Sequence, residues 1–339
     1  MENKKRKHLR NFIIAVLILF VLYWIAVNVL VSAVLVPSFM ERLEAFERIS
    51  RQSYAEQVQE SELQKNAVAM NVIGKSWARN PDPEGVEILS GDGYRLKGRI
   101  FDKRETSGRD SHRWVILLHG FTGSKEMMYG YAYWYVRNGF RVLAPDFRCQ
   151  GESEGDYIGL GATDSVDLCG WIDLIMQRDP EARIVLHGIS MGASTALILT
   201  GMEEVPPSVK AVISDCAYTD ACSMFREKIG SWFHLPAFPV VDSARLMIRL
   251  RAGYDLKEAS PLKAVKRSRV PTLFIHGRED RMIPVEMCEE LYEEAACEKD
   301  LMIAEGAGHA QAVDKDPVTY YRKIESFLNS VSGFSADEG

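Results

Sequence analysis

The sequence predicts an α/β fold: a mostly parallel eight-stranded sheet with helices on both faces, preceded by one N-terminal transmembrane helix. Three observations predict it. Short runs that are apolar throughout alternate with helical patterns, as expected of parallel strands buried on both faces. Ahead of them, "GDG" separates two strand-like runs, a hairpin signal. The N-terminus joins a basic cluster to a long uncharged apolar run. With 339 residues, 47% of them hydrophobic, the chain is long enough for one large domain with appendages.

In order, residues 1–10 form a basic tail carrying Lys4, Lys5, Arg6, Lys7 and Arg10 against Glu2. Residues 11–37 form the transmembrane helix; the chain is uncharged from Asn11 to Met40, and a bilayer core needs roughly 20 apolar residues. Signal-peptide apolar regions run to roughly 7–15 residues, and this run is longer; "VSA" at Val31–Ala33 keeps a cleaved signal as the alternative. The basic cluster stays cytoplasmic, which leaves the rest of the chain outside a cell membrane crossed once. That remainder is acidic, since the whole chain carries a net charge of −6 despite the basic tail. An acidic outer domain argues against nucleic acid as a partner. The lipid bilayer is the expected partner of the N-terminal helix.

Residues 38–80 read as a polar helical neck, with Leu43, Phe46 and Ile49 at helical spacing. Either an amphipathic segment near the membrane or a helix on the domain surface fits this pattern. Over 81–333 the strands are "GVEILS", "YRLKGRIF", "RWVILLHG", "RVLAPDF", "ARIVLHG", "KAVISDC", "PTLFIHG" and "DLMIAEG". Helices are expected near Lys125–Asn138, Thr163–Arg178, Met191–Met202, Pro284–Ala296 and Val318–Val331. A helical, aromatic-rich insertion at about 219–262 separates the sixth and seventh strands, and 334–339 form a short tail.

In such sheets chemistry gathers at the carboxyl ends of the strands. "LHGISMGASTA" places Ser190 between Gly188 and Gly192, after a strand and at the start of a helix. That context makes G-x-S-x-G a nucleophile elbow, with small residues needed where the turn is tight. The backbone N–H of Met191 then faces a developing oxyanion, and Phe121 in "LLHGFTGSK" supplies a second donor. A serine hydroxyl needs a base, and the base a carboxylate, here in the chain order serine, acid, histidine. "FIHGREDRMIP" offers Glu279 and Asp280, and "IAEGAGHA" offers His309. Asp280 is preferred to Glu279, with Asp215 in "ISDCAY" the other candidate. His119, His187 and His276 end strands beside glycines, where backbone packing is the simpler role, and His234 lies in the insertion. The six cysteines lack metal-ligand spacing; Cys216 and Cys222 are close enough in sequence to pair, but buried free thiols are the simpler reading. No metal or organic cofactor is expected.

Together "HGFTGSK", "DFRCQGESEG", "HGISMGAS", "HGREDRMIP" and "GAGHA" resemble the α/β-hydrolase superfamily, and within it a membrane-anchored bacterial esterase-like branch described as serine aminopeptidase-like. The resemblance spans roughly Glu84 to Val331. It implies Ser190, Asp280 and His309 as the triad and Phe121 and Met191 as oxyanion donors. Where the family's loop has a glycine, this chain has Cys149 in "DFRCQGES". The resemblance also implies that the insertion caps the site. The expected activity is hydrolysis of small-molecule carboxylic esters or thioesters. The alternatives are a serine peptidase acting on short peptides, or a catalytically silent scaffold.

Overall fold

The computed structural model describes residues 2–37, 74–78, 83–102, 112–233 and 236–334. The expected neck therefore lies, apart from 74–78, outside the described residues, as do His234 and the tail beyond 334.

Eight strands form one sheet: β1 (Glu84–Leu89), β2 (Arg95–Phe101), β3 (Arg113–Leu118), β4 (Arg141–Pro145), β5 (Arg183–Ile189), β6 (Val209–Asp215), β7 (Thr272–Gly277) and β8 (Lys299–Ala304). Their order is β1-β2-β4-β3-β5-β6-β7-β8. The β1–β2 hairpin is antiparallel, and β2 also runs antiparallel to β4, while the pairings from β4 through β8 are parallel. The sequence patterns follow from this: β1, at the sheet edge, buries only Val86, whereas β7 is buried at every position.

Helices cover both faces. α1 (Glu2–Leu35) is the N-terminal helix, followed by α2 (Tyr129–Arg137), α3 (Ala162–Arg178) and α4 (Met191–Thr200). The insertion between β6 and β7 holds α5 (Ala221–Phe233), α6 (Ala237–Ala252) and the short α7 (Pro261–Val265). α8 (Val285–Glu294), α9 (Ala312–Lys315) and α10 (Pro317–Ser330) complete the chain. One core packs α3, α4 and parts of α1 and α6 against the sheet through residues such as Ile116, Leu186 and Leu197. The opposite core packs α2 and α10 through Val115, Tyr135 and Ile324.

This arrangement makes a crevice. The chain leaves β3 toward α2 on one face and leaves β5 into α4 on the other, although β3 and β5 are neighbours. Loops that part to opposite faces of adjacent strands open a binding crevice at the strands' carboxyl ends. Asp146, after β4, ties the loop after β3 to the loop after β4. Its side chain accepts from the backbone N–H of Lys125 at 2.6 Å and of Glu152 at 2.8 Å, and pairs with the buried Lys125 ammonium. His119 joins the same two loops: its Nδ1–H donates to the Gly120 carbonyl, and its Nε2 accepts from the Phe147 N–H at 3.0 Å. This requires the neutral ring, which burial favours by lowering its pKa to about 4.

All six cysteines are free, with Cys216 and Cys222 buried. Cys149 adopts φ 61°, a left-handed backbone that glycine enters at no steric cost. The turn thus keeps its glycine-like shape despite the side chain. Breaking a buried ion pair from one side leaves a charge without its partner, at a cost of about 3–5 kcal/mol. Glu152 also reaches Lys125, at 2.7 Å, so Asp146→Ala is expected at the low end, about 3 kcal/mol less stable in urea unfolding.

Candidate active site

β5 ends at Ile189 and α4 begins at Met191, which leaves Ser190 alone to make the turn. Its backbone takes φ 56° and ψ −115°, a conformation a non-glycine residue holds only when its surroundings enforce it. They do so through close packing. A Cβ on Gly188 would sit 2.2 Å from the backbone of Gly192, and one on Gly192 would sit 2.2 Å from the Leu118 carbonyl oxygen. The Ser190 N–H donates to the Asp215 carbonyl at 2.8 Å, which fixes the turn to the end of β6.

The structure brings three of the sequence-predicted residues into one hydrogen-bonded chain. Ser190 Oγ lies 3.0 Å from His309 Nε2, and His309 Nδ1 lies 2.6 Å from Asp280 Oδ2. With Nδ1–H donating to the carboxylate, Nε2 is the acceptor for the Ser190 hydroxyl proton. Asp280 Oδ1 accepts from the backbone N–H groups of Met282 and Ile283, each at 2.8 Å. Burial by itself would raise the Asp280 pKa; the hydrogen bonds from His276 and His309 overcome it and hold the carboxyl well below its usual range.

The competing carboxylates go elsewhere. Glu279 is exposed, whereas Asp280 is buried. Asp215 is fully buried, but its Oδ2 accepts from the Tyr320 hydroxyl at 2.9 Å rather than from His309. Burial pushes its pKa up to about 6. Tyr320 continues to His187 Nε2, and His187 Nδ1 to Tyr135, each at 3.1 Å. His187 thus serves a buried side-chain network rather than the backbone.

His276, expected from the sequence to pack on backbone, does so and has a second partner that expectation did not include. Its Nε2 lies 2.8 Å from the Ile283 carbonyl and 3.2 Å from Asp280 Oδ2, so the N–H is shared between the loop backbone and the carboxylate. Burial opposes protonation here, but the Asp280 hydrogen bond outweighs it and raises the pKa to about 10. The sequence did hold a signal: His276 and Asp280 are four residues apart across a strand-ending turn, close enough for their side chains to meet.

The loop after β3 lies against the elbow. A Cβ on Gly120 would come within 3.6 Å of Ser190 Cβ, and the next residue, Phe121, is part-exposed. Met191 occupies the first turn of α4, where backbone N–H groups have no acceptor within the helix. As a metal site the cluster is unsuited. Cys216, Asp280 and His309 each place one atom within 4.8 Å of the others. Burial raises the Cys216 pKa far above its ordinary value, however, so the thiol stays protonated, and the other two side chains already bind each other.

Comparison with known proteins agrees with this architecture. The chain belongs to the Alpha/beta hydrolase family, whose profile matches residues 115–321. It is 30% identical over 246 residues to the Bacillus subtilis protein YqkD, an alignment that covers 72% of this chain and 79% of that one. Among solved structures, the Pyrococcus furiosus esterase Pf2001 superposes with a TM-score of 0.60 at 23% identity, covering 74% of this chain and 94% of that chain. The Pyrococcus horikoshii acylaminoacyl peptidase superposes with a TM-score of 0.57 at 20% identity, over 79% of this chain and 44% of that chain. At those identities the likeness is one of fold. Family and fold define the protein as a hydrolase of the α/β class.

The depressed Asp280 pKa has a consequence for stability. A carboxyl held below its unfolded value of about 3.9 contributes fully above that pH, and the contribution is lost as pH falls toward the folded value. Urea unfolding followed from about pH 5 to about pH 2 should therefore show a smaller loss of stability for Asp280→Asn than for the parent.

Proposed function

We propose that the protein is a membrane-anchored serine hydrolase that cleaves carboxylic esters or thioesters through an acyl-enzyme. The observation that carries this reading is the continuous hydrogen-bonded path from Ser190 through His309 to Asp280. In it, His309 Nε2 takes the Ser190 proton as Oγ attacks the substrate carbonyl carbon. Asp280 keeps the ring in the tautomer that accepts this proton and stabilises the imidazolium that forms. The N–H groups of Phe121 and Met191 hold the oxyanion. His309 then gives its proton to the departing alcohol or thiol. In the second half, water loses a proton to His309 and attacks the acyl carbon, and Ser190 recovers its proton as the acid leaves.

Support for an ester or thioester comes from two features. The esterase Pf2001 shares the fold across nearly its whole length, whereas the peptidase matches over less than half of its own. The insertion lies beside the acid's loop, with the Lys228 ammonium donating to the Arg281 carbonyl at 3.1 Å, which supports reading α5 as a cover over the site. As the family's resemblance implies, this insertion is read as the cap, over about 219–262 of a catalytic domain spanning 81–333.

Anchoring rests on Lys4–Leu35, a helix long and apolar enough to cross a membrane. Its basic end faces the cytoplasm, and the catalytic domain lies outside.

Kinetics on purified protein test the reading. Ser190→Ala and His309→Ala are expected to lower kcat toward an activated ester by about 10⁶-fold, and Asp280→Asn by about 10⁴-fold. A panel pairing acyl esters and thioesters with aminoacyl amides should show turnover of the first two. Preference for the amides would transfer the assignment to the peptidase class, and equal turnover by Ser190→Ala would remove Ser190 as the nucleophile.

A further inference from the structure

α1 is not an independent stalk. Its first part is exposed on every side, but from Tyr23 onward it packs against the insertion. Tyr23 donates to Ser243 Oγ at 2.7 Å. The Arg251 guanidinium donates to Asn28 Oδ1 at 2.6 Å and to Ser32 Oγ at 2.8 Å. The Ile158 N–H donates to the Leu35 carbonyl at 2.9 Å, and Val27, Val31 and Leu35 are buried. These pairings rise together along both helices, so α6 runs beside the second half of α1 in the same direction.

Geometry then limits where the membrane ends. From the last basic residue, Arg10, to Leu22 the uncovered helix gives about 18 Å at 1.5 Å per residue. A bilayer's hydrocarbon core is about 30 Å thick. Snorkelling by Lys7 and Arg10 recovers part of the difference, but the rest falls where α6 is packed. Tyr23 and Trp24, residue types that favour the membrane–water boundary, stand at the start of that contact.

The surface of α6 at this level is apolar in a way the fold does not use. Leu246 and Leu250, one helical turn apart, are 47% and 72% exposed, and Phe238 at the start of α6 is 76% exposed. Asp242 and Arg249 share the exposed face, which suits headgroup depth rather than hydrocarbon.

We propose that this edge of the insertion, formed by Phe238, Leu246 and Leu250, rests in the outer-leaflet interface of the lipid bilayer beside the transmembrane helix. The proposal builds on the membrane-anchored reading and adds that the cap is itself a lipid-contacting element. The insertion that reaches Arg281 beside Asp280 at one side thereby touches lipid at the other.

The test uses full-length protein in vesicles of phosphatidylethanolamine and phosphatidylglycerol, with brominated acyl chains as quenchers. Single substitutions Leu246→Trp, Leu250→Trp, Phe20→Trp and Val318→Trp are compared with the parent, whose own tryptophans set the background. Phe20 reports the anchor, and Val318 is an exposed position on α10, on the far face of the sheet. Added emission that is blue-shifted and quenched for Leu246→Trp, Leu250→Trp and Phe20→Trp, but not for Val318→Trp, is the expected result. Quenching of Phe20→Trp alone would overturn the proposal while leaving the anchor intact. No quenching of Phe20→Trp would remove the anchor and the proposal with it.

Discussion

A single buried carboxylate organises the site. Asp280 is charged, out of water and held on both oxygens: two backbone N–H groups bond to one, His309 bonds to the other, and the His276 ring pairs with that second oxygen at 3.2 Å. A charge taken from water is costly unless partners replace the lost hydration, so the loop from Gly277 to Ile283 has to fold around it. That loop in turn fixes the plane and tautomer of the His309 ring, and the ring fixes where the Ser190 proton can go. His276 belongs to this arrangement because it joins the carboxylate to the Ile283 carbonyl and stiffens the loop across its mouth.

The other half of the site is a matter of contact distances. Gly192 lets the elbow approach β3, and Gly188 lets the start of α4 fold back over β5, more closely than any side chain allows, and the Ser190 backbone between them is strained. The Asp146–Lys125 pair and His119 tie the loop after β3 to the loop after β4. Strain at Ser190 and order in its supports are linked: a conformation that is locally unfavourable persists only where packing over-determines it.

Much of this was legible in the sequence. The parallel strands declared themselves as uninterrupted apolar runs, and the β1–β2 hairpin by its "GDG" turn. That Ser190, His309 and Asp280 would meet was readable because each follows a strand and the three occur in an order the fold permits. Contacts between residues distant in sequence left little trace. Nothing local announces that Asp215 will turn to Tyr320, or that His187 will bridge Tyr320 and Tyr135. Asn28, a polar residue within an apolar run, found its explanation only in Arg251, more than two hundred positions away. Periodicity reports which face of an element is buried, not which partner meets it.

The proposed chemistry requires Ser190 to be an activated nucleophile. Mass spectrometry of the folded protein after exposure to a fluorophosphonate tests it directly, with peptide mapping to locate the adduct and His309→Ala beside it. A single phosphonyl adduct on Ser190, absent from His309→Ala, is the predicted result. A folded protein that acquires no adduct, or carries it on another residue, would contradict the account.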